Sequence, residues 1–174
     1  MIGASNAVLL DIIRKDFHPE LKLTVDLGYV NVDEIKITSN FLYMPRLAFA
    51  RSLASDYLVK MLEPFEPVHI SIDENHLRLV APPVIEARTE GFVLCDGTHR
   101  VYAAKEHNVK KIRVLMISGS PLPLAGNITC WSNIVIKSTK YETKDNFVDF
   151  NPVGFTGYSK FFNSDRFLLR KGDI

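Results

Sequence analysis

The stretch "FVLCDGTHRVYAAKEHNVKKIRVLMI", residues 92–117, decides how this chain is read. An apolar run, Phe92–Cys95, stops at Asp96-Gly97. Thr98-His99-Arg100 then open an alanine-bearing segment. Asn108 and two lysines end it, and a second apolar run, Ile112–Ile117, follows. Short apolar runs bounded by turn residues predict strands, and the segment between them predicts a helix. The strand-to-helix corner carries the chemistry. A helix N-terminus presents unpaired backbone N–H groups and a partial positive charge, so it stabilises an anion, most commonly phosphate. Gly97 lets the backbone turn tightly and lets a ligand approach. Arg100 offers a two-pronged charged hydrogen bond. Thr98 offers a hydroxyl, and His99 can donate to an oxygen or carry a proton. A competing reading makes Asp96 an N-cap and His99 and Arg100 a solvated first turn. At the far end Asn108 suits a left-handed C-cap, and Lys110 and Lys111 complement the negative helix end, so their reading is structural.

Outward from the corner, the chain alternates short extended and helical pieces. Ser5 can cap a helix through about Phe17, with Leu9, Ile12, Ile13 and Phe17 on one face. Residues 21–28, "LKLTVDLG", alternate as a half-buried strand, and "VNVDEIKI", 30–37, is a second, with Gly28 and Tyr29 as the turn. Pro45 fits the first turn of a helix that places Leu47, Ala50, Ala54, Leu58 and Met61 near helical spacing. "VHISIDENHLRLV" predicts two strands joined at Asp73-Glu74-Asn75, and "PPVIEARTEGFVLC" two more around Glu90-Gly91. Beyond Ser118 comes a Gly/Pro loop, a strand in "ITCWSNIVIKS", and an aromatic-rich segment from about 140 to 174 that is expected to pack on the main body.

The 174 residues fit one domain with a real core, and 47% apolar with 24% charged is an ordinary globular composition. A formal net charge of +1 gives no overall field to draw in nucleic acid or an anionic membrane. No apolar run approaches the roughly 20 residues that span a bilayer, and the N-terminal stretch reads as an amphipathic helix rather than a signal peptide. Cys95 and Cys130 stand far apart, which predicts no disulfide framework and a cytoplasmic location, with Cys95 a buried inert thiol. His99 and His107 are two helical turns apart, too far to share one ion, so no structural metal site is expected.

Residues 92–117 resemble the ParB/sulfiredoxin-like superfamily, whose members place a D-G-x-H-R or G-x-x-R-type turn between a strand and an alanine-rich helix, then a short connection and another strand. Asn108 stands at the family's usual glycine and Arg113 at its usual proline. The likeness extends back to about Val30 and fades after Ser118. It implies an α/β (α+β) fold, a mixed sheet with flanking helices, divided as a helix and strand over 1–29, a core over 30–120 and an aromatic-rich extension over 121–174 packed on that core. It also implies that the corner binds nucleotide or substrate phosphates. Sulfiredoxins carry their reactive cysteine immediately before the histidine, where this chain has Thr98, so sulfinic-acid reduction is not expected. The chromosome-partitioning branch adds a DNA-binding domain that 121–174 is too short to supply, and its G-E-R-R-type CTP motif is D-G-T-H-R here.

The free serine kinase branch, with its D-G-H-H-R loop, is the nearest match. It implies transfer of a phosphoryl group from ATP or ADP, with CTP as an alternative, and with Mg²⁺, to a small hydroxyl-bearing metabolite. Under that resemblance Asp96 orients the acceptor or Mg²⁺, and Gly97, Thr98, His99 and Arg100 hold phosphates. The kinase branch has a glutamate soon after its first strand. This chain has no carboxylate there until Asp56, and Glu86 stands as a substitute base or as a structural ion-pair partner. The rival expectation is a non-catalytic nucleotide-responsive or DNA-associated module. The sequence leaves the oligomeric state open.

Overall fold

The computed structural model describes residues 2–3, 5–7, 9–10, 23–159 and 168–170. The fold is mixed α/β, as the sequence predicts. A five-stranded sheet runs in the order β2 (Thr24–Asn31), β9 (Lys111–Ser118), β7 (Val84–Arg88), β8 (Gly91–Asp96), β3 (Ile35–Lys36). The β2–β9 and β7–β8 pairs are antiparallel, and β9–β7 and β8–β3 are parallel. A second sheet, entirely antiparallel, orders β1 (Ile2–Gly3), β5 (Val68–Ser71), β6 (His76–Val80) and β11 (Leu168–Arg170). Two helices, α1 (Met44–Val59) and α2 (Thr98–Glu106), pack together through Leu47, Ala50, Ala54 and Ala103, all nearly or fully buried. Alanines at this contact let the two backbones approach closely. A bidentate ion pair, Arg51 to Glu106 at 2.7 and 2.6 Å, spans the pair from the outside. Val101 and Ala104 turn the other face of α2 onto Val30, Ile85, Leu94 and Ile112 of the main sheet.

The strand–corner–helix–strand order of 92–117 forms as predicted. Asn108 adopts the left-handed conformation, φ 56°, and Val109 N–H closes the helix by donating to Ala104 O at 3.0 Å. Both predicted hairpins form too. Asp73 accepts from the N–H groups of Asn75 and His76 in one, and Gly91, φ 112°, turns the other.

The N-terminal region differs. Gly28 and Tyr29 make no turn. They lie inside β2, opposite Val114 and Arg113 of β9. The chain breaks four residues later, at a single 3₁₀ turn, Val32–Glu34, where the Asn31 side chain accepts from Asp33 N–H at 3.0 Å. Eight cross-strand partners on β9 outweigh the weak strand propensity of one glycine. The boundary drawn at 29/30 therefore falls inside a strand. Of the expected helix from Ser5 to Phe17, Ile12, Ile13 and Phe17 lie outside the described residues, while Leu9 is fully buried among Val25, Leu79, Leu115 and Ile117.

Residues 121–159 are built along one edge. Thr129 bridges Ile37, Ser39 bridges Phe147, and the Trp131 indole donates to Ile35 O at 2.7 Å. The predicted single strand over 128–138 is instead a 3₁₀ turn, Trp131–Asn133, followed by β10 (Val135–Lys137), which runs parallel to β4 (Phe41–Tyr43). Phe147, Phe150 and Phe155 form a trio with ring centroids 5.6 to 6.0 Å apart. Phe155 belongs to a short helix, α3 (Pro152–Ser159), whose Gly154 lies against the backbone of Pro123 and Leu124. A Cβ there would sit 2.5 Å from Leu124 O and 2.7 Å from its carbonyl carbon. Gly154→Ala should therefore cost about 1–3 kcal/mol through overpacking. In a chain of this size, thermal melting should show a fall of about 2–4 °C for each kcal/mol.

Candidate functional site

The sequence brings α2 to its start by a sharp route. β8 ends at Asp96, and Gly97 takes φ 93° and ψ 21°, a left-handed conformation that reverses the chain straight into the helix. Gly97 is the N-cap, and its carbonyl accepts from Val101 N–H at 2.9 Å. No side chain caps this end. Asp96 is thus not an N-cap. Its Oδ2 pairs with the Arg100 guanidinium at 2.8 Å, one helical turn on, and a second Arg100 nitrogen donates to Ala81 O. Arg100, 17% exposed at the side chain, is a brace between the β6–β7 connection and the corner. Asp96 keeps 38% of its side chain exposed and lines the cleft with its charge already balanced.

The first turn of α1 lies against the same corner. Its N-cap, Tyr43, has no side-chain cap, and Pro45 follows in the first turn. His99 Nε2 accepts from Tyr43 N–H at 2.9 Å. Accepting at Nε2 leaves the ring proton of the neutral form on Nδ1. The ring stays neutral because burial pushes its pKa from 6.5 down to about 4, with the Arg46 guanidinium adding in the same direction and Asp96 opposing. The lone pair that a proton shuttle would use is already committed to the α1 backbone. The unfolded chain binds a proton on this histidine between pH 6.5 and 4 that the folded chain refuses. Its contribution to stability is therefore complete above 6.5 and is lost as pH falls toward 4. Urea midpoints measured across that window should drop with pH in the wild type. In His99→Gln, which keeps an acceptor but does not titrate, the drop should be smaller.

Arg46 is the residue that sequence reading missed. It stands in the first turn of α1, where the helix dipole disfavours a cation and where no acidic residue offsets it. Among the described residues it makes no hydrogen bond or ion pair, and its charge reaches both His99, whose pKa it helps burial to lower, and Tyr141, whose pKa burial raises against its pull. An arginine straight after a first-turn proline, with no acid beside it, was the available signal.

Together these elements line an open cleft of about 610 Å³. Two uncapped helix N-termini and Arg46 converge on it. The opposite wall comes from the C-terminal segment through Tyr141, Thr143, Asn146, Phe147 and Phe155. Asn146 is held rigidly, since its Oδ1 accepts from Asn40 N–H at 3.1 Å and Phe41 N–H at 2.6 Å, and Tyr141 O–H donates to Phe41 O at 3.1 Å. Of the residues singled out from sequence, Asp96, Gly97, Thr98, His99 and Arg100 all line this cleft. Glu86 does not. It is 1% exposed on β7, with Oε2 2.8 Å from Arg88 Nε, in the ion-pair role that was the alternative for it. Burial also pushes the Cys95 thiol up, far from a reactive thiolate. Among the described residues no group of three or more His, Cys, Asp or Glu side chains is arranged to hold a metal ion, and no helix is long and apolar enough to cross a membrane.

No known family profile and no curated protein matches the chain. Among solved structures it is similar to protein Atu1540 from Agrobacterium tumefaciens, 12% identical with a TM-score of 0.37, over 55% of this chain and 40% of that one. It is also similar to a Pnob8-like ParB-N domain, 16% identical with a TM-score of 0.31, over 56% of this chain and 31% of that one. The chain spans less than half the length of either.

Proposed function

We propose that the cleft binds the phosphate groups of a nucleotide, at the uncapped start of α2 and the Arg46 guanidinium. The observation that carries this reading is the convergence of two helix N-termini and Arg46, unpaired among the described residues, on a cleft where, among the described residues, Asp96 is the one lining carboxylate and is paired with Arg100. Each positive source favours an anion. The backbone N–H groups at the start of α2 and the Thr98 hydroxyl supply directional donors. Arg46 supplies charge and a planar fork suited to two phosphate oxygens.

Phosphoryl transfer to a hydroxyl-bearing small molecule is the second reading, and Asp96 favours it. With Oδ2 held by Arg100, this carboxylate is oriented and still exposed to the cleft. It suits an acceptor hydroxyl or a phosphate-bridging Mg²⁺, which needs only one or two protein ligands. Such an ion would neutralise charge on the transferring group. Phosphorus NMR of the full chain with Mg²⁺, ATP, ADP, CTP and a pool of hydroxyl amino acids separates the readings. Broadened nucleotide resonances without a new signal support binding alone. A new phosphomonoester resonance establishes transfer. Unchanged nucleotide spectra overturn both.

A further inference from the structure

The cleft does not end at the corner. A second lobe of about 310 Å³ adjoins it and shares Ser39, Arg46, Cys95, Asp96, Phe147 and Phe155 with the first. The lobes therefore meet at Arg46, the charge assigned to phosphate. Thr38, Leu94, Leu124 and Ala125 belong to the inner lobe and not to the outer one. Leu94 and Cys95 at the end of β8 form one side, and Leu124 and Ala125 of the loop after β9 form another. Phe147 and Phe155 stand as aromatic faces whose positions are fixed by their mutual contact and by Phe150. Two hydroxyl residues, Thr38 at 5% and Ser39 at 9% exposure, supply polar groups on its strand side. A recess that sets two aromatic faces and aliphatic side chains beside a few polar groups can seat a flat organic ring.

We propose that the inner lobe seats the ring of the ligand, so that the bound molecule is a sugar phosphate ester bearing a heteroaromatic ring, with the ring between residues 124–125 and the Phe147–Phe155 pair and the phosphate at Arg46. This rests on the phosphate reading of the outer lobe. It assigns the C-terminal segment a binding role, since Phe147 and Phe155 belong to it. It also explains why Gly154 packs directly against Leu124: the loop and α3 must lie close for both to border one recess.

Calorimetric titration of the full chain with pyrophosphate, ribose 5-phosphate, AMP and CMP at one ionic strength tests the assignment. Ribose 5-phosphate carries the same phosphate as the two nucleotides and lacks the ring. At least one nucleotide should bind about tenfold or more tighter than ribose 5-phosphate, the scale of ring stacking. Ala125→Phe, which fills the inner lobe, should erase that margin and leave the pyrophosphate and ribose 5-phosphate affinities unchanged. Equal affinities for all three monophosphates in the wild type overturn the ring site while the phosphate site stands. A margin that survives in an Ala125→Phe protein with normal pyrophosphate binding also overturns it. Absence of binding by pyrophosphate and every monophosphate overturns the phosphate reading beneath it. If Ala125→Phe does not fold, the wild-type comparison of nucleotide with ribose 5-phosphate still decides.

Discussion

Gly97→Ala should yield a protein that melts at markedly lower temperature and binds no phosphate ligand at the temperatures where the wild type does. Two costs add at this position. The backbone sits at φ 93°, where an L side chain is strained by about 1–3 kcal/mol. The new Cβ would also lie 2.9 Å from Pro83 Cβ and 3.1 Å from Pro83 Cα, and 3.0 Å from an Arg100 nitrogen. The arginine can swing away, but Pro83 cannot, because Pro82 precedes it and Leu115 N–H donates to its carbonyl at 2.9 Å. Overpacking against such a wall costs about 1–3 kcal/mol more. Against a total stability of about 5–15 kcal/mol, the sum is a large fraction. Differential scanning calorimetry reads the loss directly. A melting temperature within a degree or two of the wild type would show that Pro83 gives way and that the corner is not fixed by glycine.

Arg46→Ala should do the opposite: keep the fold and lose the ligand. Arg46 is exposed and, among the described residues, makes no hydrogen bond or ion pair, so removing its head breaks no internal contact there. A hydrogen bond to a charged partner is worth about 1.5–3 kcal/mol, so phosphate affinity should fall by roughly ten- to a hundredfold, with the melting temperature of the unliganded protein nearly unchanged. Arg100→Ala makes the instructive contrast. Arg100 is braced to Asp96 and to the Ala81 carbonyl, and its removal strands a carboxylate at the cleft and frees the β6–β7 connection. Its variant should lose stability as well as affinity. If Arg100→Ala melts like the wild type and Arg46→Ala binds pyrophosphate normally, the assignment of the two arginines is reversed.

Between them, these two arginines show how far the sequence could be read. The motif D-G-T-H-R announced a strand-to-helix corner, and the corner is there with Gly97 left-handed as its turn demands. The motif also offered Arg100 as the residue for the anion, because a guanidinium in a first turn has that capacity. The structure commits that guanidinium to two protein oxygens. Arg46 belongs to a segment whose pattern says only helix, and nothing in that pattern says where its first turn points. The turn placed at Gly28-Tyr29 failed for a related reason. Glycine is permissive and does not compel a turn, and pairing with β9 along eight residues settled the matter.

What the sequence determined by itself is what short-range physics controls: hairpins at Asp73–Asn75 and Glu90–Gly91, the corner at Asp96–Gly97, the C-cap at Asn108, and the apolar run 112–117 that forms a strand. Each depends on backbone preference, capping or periodicity within about ten residues. What only the tertiary structure decided is the site. His99 meets the Tyr43 backbone across 56 residues, and Asn146 meets Asn40 and Phe41 across 106 and 105. Such contacts come from burying Leu42, Leu47, Ala50 and Ala103 in one cluster and from laying residues 129–147 along an open strand edge. Those choices are made by the burial of apolar surface and by the satisfaction of edge hydrogen bonds over the whole chain. No local stretch encodes them. Two helix starts, one arginine and an aromatic wall came together because the core brought their elements together.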